Sequence, residues 1–349
     1  MPRPFCTSQT LGMARSTAGP GQITAVILTD MPRHGPGWTE AMQRLSEAGI
    51  HAVDPGLRLG LSSAKEVVRD AHVLLVGGTY SVPEELIRSA PRLRLISRLG
   101  SGVDNIDVGV ATELGIPVCN TVGSNADAVA DHTFAMLLAL ERRLIAVDAQ
   151  TRGGGWAGAQ QLNLRQIAGR TMGVIGTGKV GFQVVRRAAA GFGMRVLAHD
   201  ARPNPELIEL YKLRYVPLDQ LLVASSIVTI HVPFTPATKG MIGNRELQLM
   251  PPGSILLNTA RGGIVDESAL KAALDSGHLA GAGIDVFEHE PATDNPLFTS
   301  DRVVVSPHTA GNSPEASAST RLLAVDNILA YFAGKSINPV NAIELGSVT

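Results

Sequence analysis

The sequence has few of the features that mark secreted, membrane or nucleic-acid-binding proteins. Only two cysteines occur among its 349 residues, Cys6 and Cys119, and neither has a metal-ligating neighbour at a useful spacing. We therefore expect unpaired thiols, no metal site and a reducing, cytoplasmic location, with Cys119 as a small buried residue. The net charge of -1 gives no basic excess, and no apolar stretch approaches the roughly 20 residues of a membrane span. Neither nucleic acid nor a membrane is expected as a partner.

The first 21 residues differ in composition from the rest of the chain. They contain Arg3, Arg15 and several Ser and Thr, but no acidic residue and no apolar core of a secretory signal. Residues 1–21 are predicted to be a disordered tail, or to come from a start assigned too far upstream. An organellar transit peptide is the alternative.

Strand-like and helix-like segments alternate from Ile23 onward. A chain of this length suggests two domains, and the alternation is typical of parallel sheets covered by helices. The first five strands are predicted at 23–28, 50–53, 73–76, 95–99 and 116–119. They would complete one small α/β unit before residue 120.

Several helices are predicted from their end signals. Ser63 with Glu66, and Ser81 with Glu84, match the capping-box pattern and predict two short helices. A single long helix is predicted over 125–152, ended by three glycines, where it would bridge the two α/β units. Ser313 precedes a final helix that we expect to return to the first unit.

The stretch from Thr171 to Asp200 reads as strand, glycine turn, helix, strand and acid. Gly176 would allow the tight turn, Gly178 the approach of a pyrophosphate, and Gly181 close packing of the helix on the strand. Asp200 would bind the ribose hydroxyls and favour NAD over NADP. Arg202 could reach a 2'-phosphate, but a solvated surface arginine is the favoured interpretation. The pattern predicts a dinucleotide site.

Three polar residues follow later predicted strands, at 255–258, 281–286 and 303–305. They are Arg261, Glu290 and His308, and the carboxyl ends of parallel strands are where such sheets bind ligands. Histidine can protonate an alkoxide, a carboxylate orients the imidazole, and an arginine fork binds a substrate carboxylate or polarises its ketone. Together with a dinucleotide site, they predict hydride-transfer chemistry.

At these residues the chain resembles the D-isomer-specific 2-hydroxyacid dehydrogenase family over about residues 23–340. The resemblance rests on the glycine fingerprint with Asp200, His231-Val232-Pro233, NTARGGIVD (258–266), DVFEHEP (285–291) and Pro307-His308. The segments LISRLGSGVDNID and NTVGSNADAVADHTFAMLLAL look most like phosphoglycerate dehydrogenase-type members. No C-terminal regulatory domain is expected.

The resemblance implies an α/β protein of two domains with its active site in the cleft. A Rossmann-type NAD-binding domain (121–305) would be inserted into a smaller, flavodoxin-like substrate domain formed by 22–120 and 306–345. It also implies NAD as cofactor, a 2-hydroxy or 2-keto acid as substrate, and a homodimer through the nucleotide domains.

The resemblance also implies roles for single residues. Arg261, Glu290 and His308 would be the catalytic set, and Ser101, Gly102, Val103 and Arg261 would bind the substrate. The cofactor would be bound by Gly176, Gly178, Lys179, Val180, Gly181, Asp200, His231, Val232, Pro233, Thr259, Ala260, Asp285 and Gly311, with Asp285 accepting from the nicotinamide carboxamide. Alternatives stay open for three of these residues: Asp285 as a solvated acid at the rim, His231 as a pocket wall without chemistry, and Ser101 as a turn former.

The identity of the hydroxy acid is left open by the sequence. Arg142 matches a position where phosphoglycerate dehydrogenases have a basic group near the substrate phosphate, and Arg58 could act likewise. An ordinary surface cation is the alternative for both arginines. The first hypothesis is an NAD-dependent dehydrogenase of a small D-2-hydroxy acid, possibly 3-phosphoglycerate. A hydroxypyruvate or glyoxylate reductase and an NADH-sensing binding protein are the alternatives.

Overall fold

The computed structural model describes residues 22–31, 34–56, 59–159 and 162–342. The predicted N-terminal tail, Cys6 and Arg58 lie outside the described residues. Two compact units are formed: the first extends to Ser124 and resumes at Ser317, and the second comprises Asn125–Ala316. The division into a substrate domain and an NAD-binding domain at 120 and 305 stays a prediction, since the compact units change a few residues later along the chain.

Strands and helices alternate through both units. The strands are β1 (Thr24–Thr29), β2 (His51–Val53), β3 (Val73–Gly77), β4 (Leu95–Leu99), β5 (Val118–Cys119), β6 (Thr171–Ile175), β7 (Arg195–His199), β8 (Arg214–Tyr215), β9 (Ile227–Ile230), β10 (Ser254–Asn258), β11 (Leu279–Ile284) and β12 (Val303–Val305). The helices are α1 (Trp38–Glu47), α2 (Leu61–Val67), α3 (Glu84–Arg88), α4 (Val108–Glu113), α5 (Ala126–Glu141), α6 (Leu144–Arg152), α7 (Trp156–Ala159), α8 (Lys179–Arg186), α9 (Pro205–Tyr211), α10 (Leu218–Ala224), α11 (Asn244–Leu249), α12 (Glu267–Asp275) and α13 (Pro314–Phe332).

The first unit is a five-stranded parallel sheet in the order β2-β1-β3-β4-β5. Its strands are buried on both faces, so alternate residues enter two different cores. Val26 and Leu74 pack into one core, whereas Ile27 and Leu75 pack into another that contains Ile328 of α13. The Ser97 hydroxyl donates to the Ala324 carbonyl at 2.8 Å. The final helix therefore completes the first unit, as predicted.

The second unit is a seven-stranded parallel sheet in the order β12-β11-β10-β9-β6-β7-β8. The strand order reverses between β6 and β9, and doubly wound sheets bind ligands at the carboxyl edge of such a reversal. Gly176 follows β6 and His231 follows β9 at that edge. The predicted fold class, two parallel-sheet α/β units of which one is Rossmann-type, is confirmed.

Both predicted capping boxes are wrong, although the two short helices exist. The cap of α2 is Gly60 and that of α3 is Pro83, and neither helix has a side-chain cap. Helix α2 starts before Ser63 and buries Ala64 in the core. At α3, the fixed φ of proline prepares the first turn without help from Ser81.

The predicted long helix over 125–152 is also wrong, because it is two helices. Residues 142–143 separate α5 from α6, and Arg143 has a φ of 45°, in the left-handed region that ends a helix. Short strand β8 and helix α7 were not predicted.

Candidate active site

The glycine fingerprint joins β6 to α8, and each glycine has a separate structural reason. Gly176 has a φ of 91°, and a Cβ at that position would lie 2.6 Å from the His231 carbonyl oxygen. A Cβ at Gly181 would lie 2.0 Å from the Gly176 carbonyl oxygen, so α8 could not pack on the turn. A Cβ at Gly178 would meet no protein atom within 4 Å. The space in front of Gly178 is therefore open, as a bound dinucleotide requires.

Helix α8 begins directly after this open space. Gly178 is its N-cap, and Lys179 and Val180 form its first turn, where backbone N–H groups have no acceptor within the helix. The partial positive charge of a helix N-terminus attracts phosphate. The geometry fits the predicted contacts of Lys179 and Val180, which remain predictions.

Asp200 lies at the end of β7 with both carboxylate oxygens hydrogen-bonded. One oxygen accepts from the Thr177 N–H (2.6 Å) and hydroxyl (2.9 Å), and the other accepts from the Arg202 N–H (2.8 Å). Burial raises the pKa of Asp200, but these hydrogen bonds outweigh burial and hold the pKa below its ordinary value. Asp200 is thus an oriented, ionised acceptor suited to ribose hydroxyls.

Tyr215 extends this arrangement into β8, the strand that was not predicted. Its hydroxyl donates to Thr177 Oγ1 at 3.0 Å and accepts from the Asn204 N–H at 2.9 Å. Thr177 can therefore direct its own hydroxyl proton to Asp200. The side chain of Asp200 is therefore held in position by residues from three separate segments.

His231 follows β9 with its ring turned into the protein. Thr229 Oγ1 lies 2.8 Å from Nε2, and Nδ1 is buried without a partner among the described residues. Burial lowers the pKa of His231 to about 3. His231 is therefore neutral at physiological pH, which supports the interpretation as a wall and excludes it as a proton donor there.

The loop after β10 is shaped by Asn258, whose side chain spans the turn. Its Nδ2 donates to the Arg261 carbonyl (2.9 Å) and its Oδ1 accepts from the Ala260 N–H (3.1 Å). Thr259 is buried, with its Oγ1 3.0 Å from Thr133 Oγ1 of α5. Arg261 is half-buried and donates from Nη1 to the Ala260 carbonyl at 2.6 Å. The loop thus holds the arginine at the carboxyl edge of the sheet.

His308 and Glu290 form a direct pair. His308 Nδ1 lies 2.7 Å from Glu290 Oε2, and Glu290 Oε1 accepts from the Phe287 N–H at 3.0 Å. The imidazole is 47% exposed and the carboxylate 33% exposed. Nε2 of His308 has no partner among the described residues. The histidine thus presents Nε2 as its reactive nitrogen, while the carboxylate orients the ring.

Asp285 is a buried acid at the end of β11, with a side chain only 1% exposed. One carboxylate oxygen accepts from the Ser306 hydroxyl (2.5 Å) and the Thr309 N–H (2.8 Å), and the other accepts from the Ala310 N–H (2.9 Å). This burial excludes the alternative of a solvated rim acid. The predicted contact with a nicotinamide carboxamide remains a prediction.

The remaining predicted cofactor residues lie on nearby loops of the second unit. Val232 and Ala260 pack on the hydrophobic core beneath the sheet edge, and Pro233 is exposed. A Cβ at Gly311 would lie 2.5 Å from Asn125 Nδ2, so this loop packs closely on the start of α5.

The predicted carboxylate-binding loop, Ser101 to Val103, belongs to the first unit and follows β4. Its carbonyls face inward: Asn120 donates to the Ser101 carbonyl (2.6 Å) and Arg98 to the Gly102 carbonyl (3.1 Å). For the three backbone N–H groups of this loop, no acceptor occurs within the described ranges. N–H groups without acceptors are available to an anion, and the predicted substrate contacts of Ser101, Gly102 and Val103 remain predictions.

Sequence reasoning missed the residues that hold these groups in place. Thr177 lies inside the fingerprint and Ser306 lies two residues before His308, so their positions were available signals. Tyr215 and His132 gave no local signal, because their partners are distant in sequence.

Within the described residues, no group of three or more His, Cys, Asp or Glu side chains could hold a metal ion. None of the helices in these ranges is long and apolar enough to cross a membrane.

Comparison with known proteins identifies the family. The model for the NAD-binding domain of D-isomer specific 2-hydroxyacid dehydrogenases matches residues 134–310. A glyoxylate reductase of Thermococcus litoralis is 40% identical over 276 residues, which cover 77% of this chain and 83% of that protein. A D-3-phosphoglycerate dehydrogenase of Archaeoglobus fulgidus is 38% identical over 290 residues, which cover 82% of this chain and 54% of that protein.

A solved structure is similar over nearly the whole chain. The NADPH-dependent glyoxylate/hydroxypyruvate reductase of Sinorhizobium meliloti has a TM-score of 0.80 and 30% identity, covering 91% of this chain and 98% of that chain. The chain spans about half the length of the phosphoglycerate dehydrogenases it matches, for example 54% and 58% of two archaeal ones. The chain therefore belongs to the D-isomer specific 2-hydroxyacid dehydrogenase family, as an NAD-dependent oxidoreductase that acts on the CH–OH group of its donors.

Proposed function

We propose that this dehydrogenase interconverts a small, unphosphorylated 2-keto acid and its D-2-hydroxy acid, with glyoxylate or hydroxypyruvate as the keto acid. The observation that carries the proposal is the pair of His308 and Glu290, 2.7 Å apart, with Nε2 of the histidine free to reach a ligand. Such a pair delivers a proton to the oxygen of a ketone while its carbon is reduced.

The protein's part in the reaction is proton transfer and positioning. NAD, when bound, supplies or accepts the hydride. In reduction, His308 donates its Nε2 proton to the carbonyl oxygen, and Glu290 stabilises the protonated ring through Nδ1 and keeps it oriented. In oxidation, His308 accepts the proton of the hydroxyl group at the same nitrogen.

Two groups of donors would hold the acid. Arg261 can bind its carboxylate or its keto oxygen with a planar pair of N–H groups. The N–H groups of Ser101, Gly102 and Val103 can bind the carboxylate, since their carbonyls are already engaged by Asn120, Arg98 and Ile106. Both groups favour a 2-keto or 2-hydroxy acid over a simple ketone.

The position of Arg142 supports an unphosphorylated acid. Helix α5 runs from the carboxyl edge of the sheet, where His132 contacts Ser306, to the amino end of β11, where Leu140 approaches Gly281. Arg142 follows α5, about 15 Å along the axis from His132 at 1.5 Å per residue. A phosphate on a substrate at His308 would be out of its reach within one chain.

The second candidate is D-3-phosphoglycerate, favoured by the name of relatives such as that of Archaeoglobus fulgidus. It would require Arg142 of a second copy, or a cation outside the described residues such as Arg58, to bind the phosphate. The two candidate substrates therefore differ in whether Arg142 contributes to substrate binding.

A substrate panel tests the proposal. NADH oxidation is measured with glyoxylate, hydroxypyruvate and phosphohydroxypyruvate, and repeated with NADPH, for the unaltered protein, Arg142→Ala and the exposed control Arg152→Ala. We expect higher kcat/KM with the unphosphorylated acids and no effect of either substitution. Preference for the phosphorylated acid, lost only in Arg142→Ala, would establish the second candidate. No turnover with any acid would return the NADH-sensing protein to consideration.

We further propose a homodimer formed through the second unit, in the cytoplasm. Large apolar side chains are exposed on α6 and α7: Leu144 is 58%, Ile145 61% and Trp156 71% exposed. Exposed groups of this kind mark association surfaces. Sedimentation should give a dimer that Ile145→Glu weakens, and a monomer at all concentrations would refute this proposal.

A further inference from the structure

The backbone at His308 is held in an unfavourable conformation. Its φ is 55°, in the left-handed region that residues other than glycine rarely adopt. The His308 N–H donates to the Asp285 carbonyl at 2.7 Å. Because such a conformation persists only when its surroundings enforce it, something must fix the loop on both sides of the histidine.

The Asp285 carboxylate fixes the loop. It accepts from Ser306 before His308, and from the Thr309 and Ala310 N–H groups after it. The carbonyl and the carboxylate of Asp285 thus hold residues 306–310 through hydrogen bonds on both sides of His308. The carboxylate is buried, so these hydrogen bonds face little competition from water.

The donor and acceptor roles of Ser306 extend this hydrogen-bond network to His132 of α5. An ionised carboxylate only accepts, so the single hydroxyl proton of Ser306 is directed to Asp285. His132 Nε2 lies 2.8 Å from Ser306 Oγ, and the hydroxyl oxygen can then only accept from it. His132 must therefore carry a proton on Nε2.

We infer that His132 is a positioning residue for the proton donor. Its Nε2 proton orients the Ser306 hydroxyl, Ser306 and the loop N–H groups orient Asp285, and Asp285 maintains the left-handed backbone at His308. This relay of His132, Ser306 and Asp285 links the loop to α5, whose neighbouring residues Ala130, Thr133 and Phe134 are buried. The inference rests on the proposed role of His308.

Four variants test the relay: His132→Leu, His132→Gln, Ser306→Ala and the double variant His132→Leu/Ser306→Ala. Glutamine can donate an amide proton to Ser306, whereas leucine cannot. His278→Leu is the matched control, since His278 is also half-buried and its ring donates from Nε2 to the Leu247 carbonyl at 3.0 Å. For each variant kcat, KM, NADH affinity and thermal midpoint are measured with the best acid of the substrate panel.

We expect His132→Leu to lower kcat by about 10-fold, with NADH affinity changed less than about twofold, because misplacing a catalytic group by 1 Å costs up to about 100-fold. His132→Gln should restore at least a third of the lost activity. The double variant should be no worse than the poorer single one, since both substitutions break the same relay.

Any one of three kinetic results would overturn the relay. The first is a kcat of His132→Leu within twofold of that of the unaltered protein, and the second is a His132→Gln variant as impaired as His132→Leu. The third is single effects that multiply in the double variant. A loss of kcat equal to that of His278→Leu, with an equal fall in thermal midpoint, would also overturn it. His308→Ala separates the two inferences. If His308→Ala stays active, the proposed function fails; if it is inactive and His132→Leu is not, only the relay fails.

Discussion

One hydrogen bond at His308 determines which of its ring nitrogens remains open to a ligand. Glu290 engages Nδ1, and Phe287 N–H holds the other oxygen of Glu290 in place. The carboxylate is thus oriented by a backbone N–H group of its own turn.

Substitution of this pair should separate chemistry from cofactor binding. We expect His308→Ala to lower kcat about 100- to 10,000-fold and Glu290→Gln to lower it less, since proton transfer is lost in the first and only weakened in the second. NADH affinity, measured by fluorescence, should stay within about threefold. The exposed neighbour His289→Ala is the control. Retained turnover in His308→Ala would contradict the assignment.

His231 should make the protein less stable in acid. Because burial lowers its pKa from 6.5 to about 3, the unfolded chain binds a proton below about pH 6.5 that the folded chain does not. This contribution to stability is complete above pH 6.5 and is lost as pH falls toward 3, at a slope of up to about 1.4 kcal/mol per pH unit.

Urea unfolding of the unaltered protein and His231→Gln at pH 7, 6, 5 and 4 measures this contribution. The free energy of unfolding should fall less steeply with decreasing pH in the glutamine variant. Equal slopes for the two proteins would show that His231 does not titrate in this way.

The residues proposed to act in the reaction were predictable because they follow strands, and the residues that support them were not. Arg261, Glu290 and His308 follow β10, β11 and β12, and the carboxyl ends of parallel strands are where such sheets bind ligands. His132 contacts Ser306 across 174 residues, and Tyr215 contacts Thr177 across 38. Such pairs depend on which strands become neighbours, and no local pattern contains that information.

At the scale of elements, the turn from β6 to α8 combines two glycines that serve packing with one that is predicted to serve a ligand. Gly176 and Gly181 avoid collisions with backbone oxygens, whereas Gly178 faces open space. The glycines of this motif are therefore constrained for two reasons, packing and access of a ligand. Measurements of the free energy of unfolding and of NADH affinity can distinguish the two.

Two alanine substitutions test this distinction. Gly181→Ala should destabilise the protein by about 1–3 kcal/mol, since its Cβ would lie 2.0 Å from the Gly176 carbonyl oxygen. Gly178→Ala should leave the free energy of unfolding within about 0.5 kcal/mol but weaken NADH binding at least 10-fold. Urea unfolding and NADH titration measure the two effects. Tight NADH binding by Gly178→Ala would contradict the predicted pyrophosphate contact.

Strands were predicted more accurately than helix ends, for a physical reason. Strands of a parallel sheet buried on both faces are largely continuous apolar runs, as at β1 and β3. A helix end depends on packing as well: the left-handed Arg143 divides a segment whose composition favours one continuous helix. Tertiary context overrides local propensity at such positions.

At the scale of the whole molecule, the first unit is assembled from two distant parts of the chain. Ala324, Val325 and Ile328 of α13 are buried against the sheet formed by residues 24–119. Nothing between residues 125 and 316 belongs to that unit. The cofactor fingerprint and the core of the first unit can therefore be altered separately.

Ile328→Ala should lower the free energy of unfolding by about 2–5 kcal/mol, because it empties a fully buried site. NADH affinity should be unchanged within about threefold, since the fingerprint lies in the other unit. Leu274→Ala, buried in the second unit, is the comparison for equal loss of apolar volume. A large loss of NADH affinity in Ile328→Ala under folding conditions would contradict this separation.

The interrupted first unit also sets an order of events during synthesis. Its five strands leave the ribosome early, but α13 follows only after about 190 further residues, roughly 10–40 s later at 5–20 residues per second. During that interval the face that α13 will cover, including Ile27 and Leu75, lacks its final partner. The second unit ends at Ala316, within the first turn of α13, so this face stays uncovered until the whole second unit has been made, and the first-made sheet is the part for which protection by a chaperone matters most.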